Sequence, residues 1–160
     1  MRAVVLLAAL FTGSGAIAAP LQDMYVNSRY DYSISYPRTL LKPQPESDSQ
    51  DGRVFAAVKG KAQFRVFADG TVPDITDTPE AAAKLAEEKC PGHRATYRVV
   101  RPRLAAISCT IGTDILYSKT LLREGVATTF MGTYPVRERP IWDPVVAAMA
   151  RSMTAGHFLN

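Results

Sequence analysis

The chain predicts an α+β domain in which an antiparallel sheet of about six or seven strands is covered by two helices. Three observations carry this. Tyr30, Tyr32, Ile34 and Tyr36 alternate strictly with Asp31, Ser33 and Ser35 before Pro37, so a strand of period two puts three aromatic rings and an isoleucine on one face. Two hairpin signals follow, around Lys59 and Gly60 and around Arg123, Glu124 and Gly125. Only two places, Thr78-Pro79 and Asp143-Pro144, combine a capping side chain with proline as a helix start does.

Before the first strand stands a different kind of segment. Arg2 is followed by the apolar run 3–11 and then by small residues ending Ala16, Ile17, Ala18. This reads as a secretory signal peptide over residues 1–18, with an apolar core too short to span a bilayer. No cysteine stands near its exit to take a lipid, and no later stretch offers about 18 uninterrupted apolar residues. The expectation is a periplasmic or secreted protein with no integral membrane segment after cleavage. The remaining residues, about 142, suit a single domain over 30–155, preceded by a lead-in at 19–29 and followed by a flexible tail at 156–160. Cleavage removes Arg2 and no acid, leaving 18 basic against 15 acidic residues. That mild balance does not call for nucleic acid.

Taken in order, residues 19–29 show little periodicity and carry Tyr25 and Val26 as the side chains able to dock. Residues 42–52, with Pro43, Pro45, Asp48, Asp51 and Gly52, read as a polar loop. Their acids do not match a calcium-loop spacing. Residues 53–58 and 61–68 are the arms of the first hairpin, and Ala62, Phe64 and Val66 form the apolar face of its second arm. Asp69 and Gly70 then turn the chain into an irregular connection.

Thr78 caps the first helix, with Pro79 at its first position and Glu80 near the positive end of its dipole. Ala81, Ala82, Leu85 and Ala86 form its apolar stripe, and Pro91 and Gly92 stop it. Residues 95–101, 104–111, 115–122 and 126–134 read as four strands, the second apolar enough to be central. Asp143 caps the last helix, with Pro144 at its first position, Trp142 as an anchor just before it, and Val145, Val146, Met149, Ala150 and Met153 as the stripe that meets the sheet.

Cys90 and Cys109 are the only cysteines. In an oxidising compartment a disulfide is the leading reading, with a metal site or a catalytic thiol as alternatives unsupported by any CxxC or paired histidines. His93 and His157 fit no metal-binding spacing, and no metal or other cofactor is expected. The motifs of serine hydrolases, P-loops and dinucleotide sites are absent. Ser108 lies in an apolar strand, and Asp114 and Glu124 stand at opposite ends of another, too far apart to share a glycosidic bond.

One charge imbalance remains. Residues 89–113 hold Arg94, Arg98, Arg101 and Arg103 and no acid. These four arginines are candidates for recognising an anionic partner through guanidinium contacts, a lipid phosphate, an anionic polymer or an acidic protein surface. The alternative is a solvated basic face that keeps the protein soluble.

The stretches YDYSISYP, DGRVFAAVKGKAQFRVF, LYSKTLL and IWDPVVAAMARSM resemble a group of small exported bacterial proteins related to the PsbP-like α/β sandwich. The similarity spans most of residues 30–153, and its motifs are structural punctuation. The resemblance implies a PsbP-like sandwich used for docking or assembly, and it hands over no catalytic residues. The expected function is thus a non-enzymatic accessory or interaction module of the bacterial envelope contacting an unknown protein, lipid or polymer. An envelope enzyme with an unrecognised site and an inhibitor of an envelope enzyme are the alternatives.

Overall fold

A computed structural model describes residues 20–156. The leader expected at 1–18, His157 and the rest of the tail lie outside the described residues. Ten strands and two helices follow one another as β1 Asp23–Asn27, β2 Tyr32–Tyr36, β3 Leu41–Glu46, β4 Gly52–Ala57, β5 Gln63–Gly70, α1 Pro79–Glu87, β6 Tyr97–Arg101, β7 Leu104–Ile111, β8 Asp114–Arg123, β9 Val126–Pro135, α2 Arg139–Ser152 and β10 Thr154–Ala155. Seven of the strands make one sheet in the order β3-β4-β5-β9-β8-β7-β6, and β1-β2-β10 make a second. Every pairing is antiparallel.

The large sheet is covered on both faces. On the first face β5 and β9 present Phe64, Val66, Phe130 and Tyr134 to Tyr32, Ile34 and Tyr36 of the small sheet and to Val145, Val146 and Met149 of α2. Phe64 is the hub, with ring centroids 5.4 Å from Trp142, 6.0 Å from Phe130 and 6.2 Å from Tyr134. Gly132 stands opposite Phe64 in the ladder, and a Cβ there would lie 2.1 Å from Phe64 Cδ1. On the second face α1 covers β6, β7 and β8, where Ala82 and Ala83 pack with Ala105, Ile107 and Leu116. Cys90 and Cys109 are bonded within this cluster, so the exit of α1 is tied to β7.

Several elements differ from their sequence expectation: Tyr30 falls in the turn before β2 and not in the strand, and α1 buries Ala82 and Ala83 while Leu85 is 38% exposed. The lead-in contains β1, whose register with β2 runs from Asp23 opposite Tyr36 to Asn27 opposite Tyr32. Its inward positions are Tyr25 and Asn27, while Met24 and Val26 are 57% and 42% exposed, so the usual polarity is inverted and no amphipathic signal marks the strand. Asn27 is accommodated because its amide donates to the Tyr25 hydroxyl and to the Gln50 carbonyl, both at 2.9 Å. The expected loop 42–52 contains most of β3. Its two prolines are tolerated because β3 is an edge strand with a register shift between Pro43 and Glu46. Asp69 and Gly70 continue β5, opposite Ala127 and Val126, so no turn falls there.

The last helix begins at Arg139, four residues before the expected cap. Pro140 occupies the first turn, and Pro144 sits within the helix. Asp143 is drawn away from capping, since one carboxylate oxygen accepts from the Tyr134 hydroxyl at 2.7 Å and the other from Arg139 Nε at 3.0 Å. Trp142 is buried inside the helix, with its indole N–H donated to Glu138 Oε2 at 3.0 Å. By contrast, Thr78 caps α1 as expected, its Oγ1 accepting the Ala81 N–H at 3.1 Å.

Candidate functional site

The covering layer over the first face is narrower than the sheet. α2 and the small sheet cover β4, β5, β9 and part of β8, and the same face of β6 and β7 is left open beside the helix. The result is a groove of about 630 Å³ between the outer flank of α2 and the strands. Its floor is ordered by the ladder into cross-strand rows: Tyr117, Ser108 and Tyr97, then Lys119, Ala106 and Val99, then Leu121, Leu104 and Arg101. Small side chains make the depth, with Ala106 and Ser108 on β7 and Ala147 and Ala150 on α2. From beneath, α1 and the Cys90–Cys109 bond hold the floor strands in place.

The charged residues of the groove are Arg101, Lys119, Arg139, Arg151 and Asp143. Arg139 and Asp143 are paired at 3.0 Å near the start of α2. The other three stand toward the far end of the helix. Lys119 Nζ donates to the Ala150 carbonyl at 2.5 Å, capping the last turn where the helix dipole is negative. Its surroundings are dry enough that desolvation lowers the ammonium pKa from the ordinary lysine value. Among the described residues, no ion pair involves Arg101, Lys119 or Arg151. Tyr117, half-buried on the floor, has its phenol pushed up to about 12 by burial.

The four arginines grouped by sequence do not share a surface. Arg101 lies in the groove. Arg98, three residues back on β6, has the opposite parity and faces α1, where its guanidinium meets Glu80 at 2.6 Å and Glu87 at 3.3 Å. Arg94 is exposed after the 3-10 turn Pro91–His93. Arg103 occupies the turn between β6 and β7 with φ 65°, its carbonyl accepting the Leu122 N–H at 2.9 Å. Lys119 and Arg151 are not grouped with Arg101 by sequence proximity, because they come from β8 and α2 and approach only through the fold. A lysine at an inward position of an otherwise apolar alternation, Ile115, Tyr117, Lys119, Leu121, is the signal that could have found the site.

Other candidate groups are already engaged. The Ser108 hydroxyl donates to the Leu116 carbonyl at 2.8 Å. Among the described residues no group of three or more His, Cys, Asp or Glu side chains is placed to hold a metal ion. Nor is any helix among them long and apolar enough to cross a membrane.

No protein-family model and no curated protein matches the chain. Similarity appears among solved structures. The solution structure of cyanobacterial PsbP (CyanoP) from a Synechocystis species aligns with a TM-score of 0.62 at 13% identity, over 94% of this chain and 99% of that one. A crystal structure from Bacteroides thetaiotaomicron aligns with a TM-score of 0.49 at 14% identity, over 81% of this chain and 46% of that one. With its element order, its two covered faces and this near end-to-end alignment, the chain has the PsbP-like α+β fold.

Proposed function

We propose that the protein is a non-catalytic binding module of the bacterial envelope that holds an anionic component in the groove beside α2. The observation that carries this is the unpaired set Arg101, Lys119 and Arg151 in one concavity, one of them partly desolvated. A cation removed from water without a counter-charge costs stability, and a bound anion relieves that cost. The groove walls favour binding over catalysis, since Ser108 and Asp143 are both committed to structural hydrogen bonds. The disulfide between buried Cys90 and Cys109 supports a location outside the reducing cytoplasm, periplasmic or extracellular, in keeping with the leader read from the sequence. The PsbP-like fold supports an accessory role, because it supplies a rigid sheet face with room beside one helix.

The test is co-sedimentation of the purified protein with isolated envelope fractions at low and high salt. Binding should weaken as ionic strength rises, and Arg101→Glu should reduce it at least tenfold. Arg98→Gln should leave it unchanged, since Arg98 is neutralised by Glu80 and Glu87 on the other face. Salt-independent binding, or Arg101→Glu binding as well as the unmodified protein, would overturn the reading.

A further inference from the structure

The distribution of polarity along the groove, once the groove is taken as an anion site, specifies the ligand further. On that footing we propose that the ligand is an amphiphile with a single anionic head, a carboxylate or phosphate, and an unbranched apolar body. The head sits among Arg101, Lys119 and Arg151, and the body lies along α2 toward Tyr117 and Ile115.

Three observations support this chemistry. Unpaired positive charge is confined to one end. Among the described residues the one other cation lining the groove, Arg139, is held by Asp143 at 3.0 Å, so a polyanion running the length of the groove would leave its further charges unmatched. Between the two ends Val99, Ala106, Val146 and Ala147 offer apolar contact area beside the Tyr117 ring, and the Ser108 hydroxyl among them is already donated to the Leu116 carbonyl. Finally, Lys119 spends one of its three donors on the Ala150 carbonyl, leaving two for a ligand oxygen in a place already partly shielded from water. An apolar body laid over this floor removes the remaining water and strengthens the attraction between head and cations, which a small inorganic anion cannot do. The groove of about 630 Å³ is ample for a chain of about ten carbons and falls in the size range of small-molecule sites.

The experiment is a two-dimensional NMR titration of the disulfide-bonded, leader-cleaved protein, following the methyl groups of Ala106 and Ala147 and the ε-methylene of Lys119. Decanoate and decyl phosphate are added below their micelle concentrations, beside acetate, inorganic phosphate and decyltrimethylammonium. The expected result is a Kd at least tenfold lower for decanoate or decyl phosphate than for its head group alone, with shifts at all three reporters. The cationic amphiphile should produce none at Lys119. Which of the two amphiphiles binds more tightly identifies the head. Ala147→Trp, at an exposed α2 position lining the groove, should reduce the amphiphile to the affinity of its head group while keeping the thermal midpoint. Lys119→Met should weaken both classes tenfold or more. If acetate and phosphate shift Lys119 but the alkyl chain adds nothing, the amphiphile assignment is overturned and the anion site stands. If no anion shifts Lys119, both are overturned.

Discussion

Replacing Gly132 by alanine tests the packing of the main core directly. Gly132 faces Phe64 across the β5–β9 ladder, and the added methyl would lie 2.1 Å from Phe64 Cδ1 and 2.6 Å from the Gln63 carbonyl oxygen. Carbon atoms in contact settle at about 3.5–4.0 Å, so the Phe64 ring must retreat by about 1.5 Å. It has nowhere to go. Phe64 is 1% exposed and bounded by Phe130, Tyr134 and Trp142, and the Gln63 oxygen belongs to the ladder backbone. Overfilling a core costs about 1–3 kcal/mol, and displacing a hub ring forfeits part of the about 3–5 kcal/mol that complete removal of a buried phenylalanine costs. Against this stands about 0.4–1 kcal/mol from stiffening the unfolded chain. The net expectation is a loss of about 3 kcal/mol, a fall of roughly 6–12 °C in Tm for a domain of this size. Urea unfolding followed by tryptophan fluorescence measures it, with Trp142 as the natural reporter. Gly70→Ala is the control, because nothing lies within 4 Å of its added methyl. Adding Phe64→Leu to Gly132→Ala should cost less than the two changes summed. A Gly132→Ala protein within about 0.5 kcal/mol of the parent would refute the account of the core.

Cys90→Ser with Cys109→Ser should cost about 3 kcal/mol, since the bond closes a span of 19 residues, and urea midpoints of the oxidised and doubly substituted proteins measure it. Glu124→Asn should stabilise by about 0.5–1 kcal/mol, because Glu124 and Gly125 both take positive φ, 46° and 81°, in the two-residue turn between β8 and β9 where asparagine is at ease. An unchanged unfolding midpoint for that variant would contradict the turn assignment. Tyr117 keeps its proton to about pH 12 when folded, whereas an unfolded tyrosine titrates near 10. Its contribution to stability is therefore whole below pH 10 and is lost as pH rises through 12, a slope that Tyr117→Phe should flatten in urea midpoints measured across that window.

Much of the fold is legible because local chemistry and tertiary placement agree. The alternation of Tyr32, Ile34 and Tyr36 is a core-facing strand, and Thr78-Pro79 opens a helix as such a pair does elsewhere. The failures share one cause, a tertiary partner that redefines a residue's role. Asp143-Pro144 has the form of a helix start, yet Tyr134 and Arg139 claim the carboxylate, and Pro140 already starts the helix upstream. The prolines of β3 are compatible with a strand because, among the described residues, no further strand pairs beyond it. The same holds for the site. Arg98 and Arg101 are neighbours in sequence and lie on opposite faces of β6, whereas Lys119 and Arg151 are distant in sequence and share the concavity with Arg101. Proximity along a strand carries no information about company across a sheet unless the parity of each position is counted.

The pairing of β10 with β2 sets a schedule for acquiring the structure. Ser33 meets Thr154 and Ser35 meets Ser152 across 121 and 117 residues of chain. Until synthesis delivers the closing helix and the short strand after it, the tyrosine-rich ribbon near the beginning has no roof. Such long-range closure slows folding and leaves adhesive surface open in the meantime. A nascent chain emerging beginning-first therefore passes through a stage in which Tyr32, Ile34 and Tyr36 require shelter from a chaperone or from speed, and truncation by even the last turn of α2 would strand the molecule there.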